Sequence, residues 1–394
     1  MMSFDAIDDA LRTATDTTIV PGLVAMATTS REVIYHKSFG VRDLSKPDAM
    51  TDDSVFWIAS MTKAITSIAA MQMVEQDKLT LDGNIGDVLP DYAAPQVLEG
   101  FDTDGAPLLR PAKGPITLRH LLTHTAGFCY DMWNGNMVRY LAHTNLPRTG
   151  SGKRIALQMP LAFDPGTRWE YGINVDVAGL LVEAVSGIRL DRYLQANIFA
   201  PLGMVDTGFK ISATMRERLV RVHRRQPDGT LAAIDFEGMQ EPEQHMGGGG
   251  LYSTASDYIR FVQMILNKGI SGGQHIVSAE TIATMSRNHI GDLQMTRLPA
   301  SLAAFSNDVD FYPEIVKSWG LGFMINMATT PEGRSAGSLA WAGLPNTYYW
   351  IDPARDVAGV ILMQVLPFAD RRCLDVFATF ERGVYDAVGA RKAA

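Results

Sequence analysis

A chain of 394 residues with 46% hydrophobic and 20% charged residues has material for a large core and falls outside the composition of disordered or low-complexity polymers. Its net charge of -8 is mild and its lysines and arginines are dispersed, which argues against a nucleic-acid partner. No apolar run reaches the roughly 18 residues that a membrane span requires.

In chain order, the start "MMSFDAIDDALR" is acidic and amphipathic. It predicts a helix at roughly 4–15 and lacks the basic and apolar regions of a secretory signal. With only Cys129 and Cys373, read as a pair of reduced thiols, the expected location is the cytoplasm. Next, "GLVAMATTSREVIYHKSFGVRD" reads as two strands joined through Thr28 to Glu32. Near the other end, "TYYWIDPARDVAGVILMQVL" repeats the pattern with its turn at Asp352 to Asp356, and "RRCLDVFATFERGVYDAV" follows with helical spacing. The expectation is an α/β (α+β) fold: an antiparallel sheet built from both chain ends and flanked by the terminal helices, with a largely helical second region.

The middle reads as a helix with a glycine stop in "ITLRHLLTHTAGF", as turn, short strand and helix in "LAFDPGTRWEYGINVDVAGLLVEAVSG", and as glycine turn, cap and helix in "GGGGLYSTASDYIRFVQMIL". Residues 90–114 and 298–314 read as long loops of the kind that line sites. Residues 1–90 and 315–394, with part of 150–215, are assigned to the sheet region. Residues 91–149 and 216–314 are assigned to the helical and loop region, with the catalytic cleft between the two.

The stretch "WIASMTKAITSIAAMQMVE" places Ser60 where strand-like sequence becomes helical, with Lys63 one turn later. Three helical residues span about 300° and about 4.5 Å, so the two side chains can meet. Burial against Ile65, Ile68 and Met71, together with the positive helix end, would disfavour the ammonium form and leave Lys63 able to take the Ser60 proton. The same helix end leaves the Ser60 N–H free for an oxyanion. Taken alone, Ser-x-x-Lys also arises by chance, and Ser60 is equally suited to cap the helix. Tyr171, after the Asp164-Pro165-Gly166 turn, is read as a tyrosine that could relay the proton, although a core tyrosine is the plain alternative. In "LAWAGLPNTYYWID", Trp341, Ala342 and Gly343 offer a strand edge close to an acyl group, and the N–H of Leu344 completes an oxyanion hole. Gly247 to Gly250 are read as either a tight turn near a ligand or a flexible loop, with the structural role preferred. Tyr130, Trp133 and Trp350 are aromatic candidates for the pocket wall, although aromatic residues at such places are more often core.

Two rival motifs are weaker. His120 and His124 have zinc-ligand spacing, but "HLLTH" lacks the glutamate of His-Glu-x-x-His, so packing roles are preferred. "RTGSGKR" at 148–154 lacks the glycine spacing and the Ser/Thr of a phosphate loop and reads as a surface loop.

Taken together, "SMTK" at 60–63, "LRHLLTHTAG" at 118–127, "YGIN" at 171–174, "GGGGLYSTASDY" at 247–258 and "WAG" at 341–343 resemble, in order and across nearly the whole chain, the serine beta-lactamase/penicillin-binding-protein superfamily. Within it the chain looks most like the family VIII carboxylesterases, relatives of class C beta-lactamases. The resemblance implies Ser60 as acylated nucleophile, Lys63 as proton acceptor, Tyr171 as base and acid partner, and the N–H groups of Ser60 and Leu344 as oxyanion hole. Trp341 and Ala342 stand where lactam-processing relatives carry a cation and a hydroxyl, which favours a neutral acyl substrate. Asn174 is displaced by one position from the family's asparagine. The function expected is cleavage of short-chain carboxylic esters. Acyl transfer, weak beta-lactamase or D-amino-acid peptidase activity, and non-catalytic acyl binding are the alternatives. The expected partner is a small-molecule ester, with no cofactor, metal, nucleic acid or membrane, and a homo-oligomer stays open.

Overall fold

The computed structural model describes residues 4–393; residues 1–3 and 394 of the terminal segments considered above lie outside the described residues. Both hairpins form where the polar turns place them: β1 (Gly22–Thr28) with β2 (Val33–Gly40), and, after β3 (Lys317–Trp319), β4 (Met324–Asn326) and β5 (Leu339–Gly343), the pair β6 (Thr347–Asp352) and β7 (Val357–Leu362). These strands make one antiparallel sheet in the order β3-β4-β5-β6-β7-β1-β2, so β1 closes against β7 and joins the two chain ends.

Strands β5, β6 and β7 are buried at every position, which requires cover on both faces. Neighbouring residues of β6 show what supplies it, because successive side chains point to opposite faces. Tyr349 meets Tyr258 at 5.3 Å between ring centroids, whereas Trp350 meets Phe380 at 5.5 Å. The helix carrying Tyr258 (Ala255–Leu266) therefore covers one face, and the C-terminal helix (Arg371–Ala393), with the N-terminal helix α1 (Asp5–Asp16) beside it, covers the other. Trp350 fits because its cross-strand partner is Gly359, where a Cβ would come within 2.1 Å of the indole. Trp350 is thus a core residue and not part of a pocket wall.

Between the sheet halves run α2 (Thr62–Glu75), α3 (Leu118–Thr123), α4 (Asn174–Ser186) and several short helices. Three local expectations change. Helix α3 ends at His124, which itself adopts the left-handed conformation at φ +59°, before the glycine is reached. Residues 90–114 include a strand pair, Gln96–Phe101 with Pro107–Pro111, whose Leu108 and Leu109 are exposed, so its pattern reads as loop in sequence. No strand forms before Tyr171; that segment is held by single bonds such as Glu170 N–H to the His124 carbonyl at 3.0 Å. Among the described residues, no helix is long and apolar enough to cross a membrane, and both cysteines are free and buried.

Candidate active site

Ser60 is delivered by a short strand, Phe56–Trp57, paired with Tyr252–Ser253. Ala59 then turns the chain with φ +42°, a conformation L residues avoid, and a single 3-10 turn (Ala59–Met61) runs into α2. Thr62 fastens this corner: its hydroxyl donates to the Ala59 carbonyl at 2.6 Å and accepts the Leu251 N–H at 3.1 Å. Residues Thr62 to Met73 are all buried, so α2 is a central helix enclosed on every side, and Lys63 is sealed at its first turn.

The Lys63 amine spends its three donor directions on Ser60 Oγ at 3.3 Å, Tyr130 OH at 3.1 Å and the Gly248 carbonyl at 2.6 Å. The Tyr171 ring lies beneath it at 4.6 Å. Burial drives the Lys63 pKa down to about 7, with the negative charge of Asp176 working in the opposite direction. An amine that is half neutral near pH 7 beside a serine hydroxyl can accept its proton.

Tyr171 is held from two sides. Its hydroxyl accepts the Trp341 indole N–H at 2.8 Å and interacts with Ser60, while burial keeps the phenol protonated by raising its pKa. Behind it, the His124 ring packs at 4.5 Å, and His124 Nδ1 accepts from Asn174 Nδ2 at 2.9 Å and the Gly172 N–H at 3.4 Å. Asn174 also donates to the Phe128 carbonyl at 3.1 Å, which orients its amide and leaves the His124 ring proton on Nε2. Burial and the nearby Lys63 charge hold that imidazole neutral.

Ser60 opens onto a cavity of about 360 Å³ whose wall is largely apolar, formed by Trp57, Tyr130, Trp133, Phe236, Met239 and Phe305 among others. Beside it a crevice of about 10 Å³ runs between Trp133, Tyr171, Trp341 and Phe368. Leu344 borders both spaces with Ser60, and among the described residues no acceptor takes the N–H of Ser60 or Leu344. Two unclaimed donors beside a serine hydroxyl are what an oxyanion needs.

Ser60, Lys63, Tyr171, Leu344, Trp341 and Ala342 thus meet in one place. Other candidates take different positions. Asn174 is fully buried and lies off the cavity wall, tying the 124–128 loop to the tyrosine segment. Gly343 supports the strand edge: a Cβ there would meet the Ile58 carbonyl at 2.3 Å. Tyr130 does line the cavity, but it also binds the lysine. His120 completes the cap of α3 through Thr117 and His124 braces Tyr171, so both imidazoles pack as structural groups. Residues 148–152 form part of the cavity wall and are more than a surface loop, with Arg148 paired to Asp131 at 2.7 Å.

Two participants are missing from the sequence-based set. Gly248, read as part of a structural turn, supplies the shortest contact to Lys63. Asp176 receives the Gly248 N–H at 2.9 Å and the Tyr130 hydroxyl at 3.3 Å. Its signal was present: a carboxylate in the otherwise apolar run "NVDVAGLLV" is an acid destined for burial.

The sequence pattern of the family described as beta-lactamase matches residues 7–382. The chain is 32% identical to monacolin J acid methylbutanoyltransferase of Aspergillus terreus, over 96% of this chain and 95% of that protein. It is 31% identical to lovastatin esterase of Penicillium rubens, over 98% and 99%. Among solved structures, unliganded simvastatin synthase (LovD) from Aspergillus terreus superposes with a TM-score of 0.82 at 31% identity, covering 97% of each chain. Fold, motif order and these matches agree: the chain belongs to the beta-lactamase family, as a serine acyl-enzyme hydrolase or acyltransferase.

Proposed function

We propose that this protein cleaves carboxylic esters of a short acyl group and a bulky apolar alcohol through an acyl-enzyme on Ser60. The observation that carries the reading is the Ser60 hydroxyl 3.3 Å from a buried amine with a pKa of about 7, at the floor of an apolar cavity. Ser60 Oγ attacks the ester carbonyl as Lys63 takes its proton, and the N–H groups of Ser60 and Leu344 receive the oxyanion. The proton passes through Tyr171 to the departing alkoxide, which leaves as the alcohol. Water then adds to the acyl-enzyme by the same route in reverse and releases the acid.

The two spaces beside Ser60 support the choice of halves. The close packing of Trp133, Trp341 and Phe368 on one side of Ser60 leaves little free space and argues against a long acyl chain there, and the large cavity suits an alcohol of substantial apolar surface. The names of two relatives fit this division, one transferring a methylbutanoyl group and the other an esterase of lovastatin. Trp341 supplies no cation for a lactam carboxylate and spends its N–H on Tyr171, so nitrocefin turnover is expected to be slow or absent.

Fluorophosphonate labelling with mass spectrometry tests the nucleophile: Ser60 takes the adduct, and Ser60→Ala loses both label and turnover, by on the order of 10⁴-fold or more. A label on another residue would sink the reading. A p-nitrophenyl ester series should run fastest with short acyl chains, and a maximum at long chains overturns the assignment of the crevice.

Acyl transfer is the second reading, favoured by the apolar cavity itself, which can hold an alcohol acceptor and limit water at the acyl-enzyme. Adding a bulky apolar alcohol to the ester assay separates the two: a transferase forms the new ester in preference to free acid, whereas a hydrolase yields acid throughout.

A further inference from the structure

We propose that Asp176 is a positioning residue that governs how readily Lys63 takes the Ser60 proton, by gripping Gly248 and Tyr130, the two groups whose oxygens hold the lysine amine. The inference rests on the reading of Ser60 as the acylated nucleophile and Lys63 as its base.

The geometry is a closed clamp. One carboxylate oxygen of Asp176 receives the Gly248 N–H at 2.9 Å, and the carbonyl of that same glycine receives Lys63 at 2.6 Å. The other oxygen receives the Tyr130 O–H at 3.3 Å, which turns the phenol proton away from Lys63 and leaves its oxygen to accept the amine at 3.1 Å. The carboxylate is only 1% exposed and comes this close because residue 248 is glycine; a Cβ there would stand 2.3 Å from Asp176 Oδ2. Helix α4 carries Asp176 and packs against α2, which carries Lys63, so the clamp joins two rigid elements and a glycine turn.

Asp176 and Lys63 are connected through these two groups and do not form a contact ion pair. The carboxylate therefore supports positive charge on the amine without claiming one of its donors, and the third direction stays on Ser60. The other titratable groups facing the pair are Tyr171 from the segment before α4, Tyr130 and His124 from the loop after α3, and Tyr92 from the short helical turn before the Gln96–Phe101 strand. Burial keeps the three phenols protonated and the imidazole neutral, so the charge that Lys63 senses is that of Asp176. Burial also raises the Asp176 pKa, and Lys63 with the Gly248 N–H pulls it back.

The sign follows. Removing the carboxylate charge removes what opposes the burial of Lys63, so the amine becomes a weaker base and stays neutral to lower pH. For Asp176→Asn the expected result is a lower plateau of kcat/KM, with the midpoint of its acid limb moved down by about one pH unit or more. The pH dependence of Ser60 fluorophosphonate labelling moves with it. Asp176→Glu, which keeps the charge, holds its midpoint near that of the unsubstituted protein even where its plateau falls. A midpoint that stays in place in Asp176→Asn, or moves equally in both variants, overturns the proposal. If Asp176→Asn does not fold, Tyr130→Phe cuts one arm of the clamp and is expected to move the midpoint the same way by a smaller amount; no movement there overturns the proposal as well. Absence of label on Ser60 in the unsubstituted protein would refute the acyl-enzyme reading, whereas normal labelling with an unmoved midpoint refutes only the role of Asp176.

Discussion

Two buried cation–carboxylate arrangements in this molecule have opposite constructions. Arg334, in the loop between β4 and β5, meets Glu381 of the C-terminal helix directly, with Nε at 2.7 Å from one oxygen and Nη2 at 2.8 Å from the other. Burial opposes the Arg334 charge, but Glu381 and the ring and hydroxyl of Tyr312 outweigh it and raise its pKa. Lys63 and Asp176 instead stand apart, joined through Tyr130 and Gly248, and there burial wins, leaving the amine at about 7. Direct bidentate contact fixes a charge permanently and serves structure; separation by polar intermediaries keeps a proton mobile and serves chemistry.

Substitutions that break one arrangement and spare the other sharpen this contrast. The largest effect is expected at the mobile pair: Lys63→Met should lower kcat/KM by about 10³ to 10⁴-fold while circular dichroism shows the fold retained. Tyr171→Phe should cost about 10²-fold or more in kcat, and near-normal turnover would remove it from the proton path. In the unsubstituted protein, activity should rise through pH 7 to a plateau, because Lys63 is protonated below its lowered pKa and neutral above it. Below that point kcat/KM should fall by about tenfold per pH unit.

At the fixed pair the readout changes from rate to stability. Arg334→Met leaves the Glu381 carboxylate buried without its partner and should lower the free energy of unfolding by about 3–5 kcal/mol, seen in urea titration. Its pH midpoint for turnover should stay where it was, and a shifted midpoint would mean that the two arrangements communicate. The smallest effect is expected at Trp341→Phe, which removes the indole N–H from the Tyr171 oxygen and keeps the aromatic wall. One neutral hydrogen bond corresponds to about 1 kcal/mol, or about fivefold in kcat.

Much of the sheet could be read from the chain because its signals are local. Alternating or continuous apolar runs flanked by Thr28 to Glu32 and Asp352 to Asp356 specify two hairpins whatever lies elsewhere. The hairpin at residues 96–111 escaped because its apolar residues do not alternate: Val97 and Leu98 are buried side by side in one strand, while Leu108 and Leu109 are exposed in the other. The Ser60–Lys63 contact was likewise readable, since both residues belong to one helical turn. Trp350 was open to misreading because a tryptophan near a motif looks the same in sequence whether it faces a cavity or, as here, the C-terminal helix.

By itself, then, the sequence determined the strand pairs at the two ends, the meeting of Ser60 with Lys63, and the ordered motifs that place the chain in its family; each depends on residues a few positions apart or on the order of such groups. Only the tertiary structure decided that Tyr130, Asp176 and Gly248 converge on Lys63, that Trp341 holds the Tyr171 hydroxyl, and that the 148–152 loop walls an apolar cavity. Those meetings join residues from 46 to 185 positions apart. They arise from helix packing and loop closure, whose energies are spread over the whole core and leave no periodicity at the positions that finally touch.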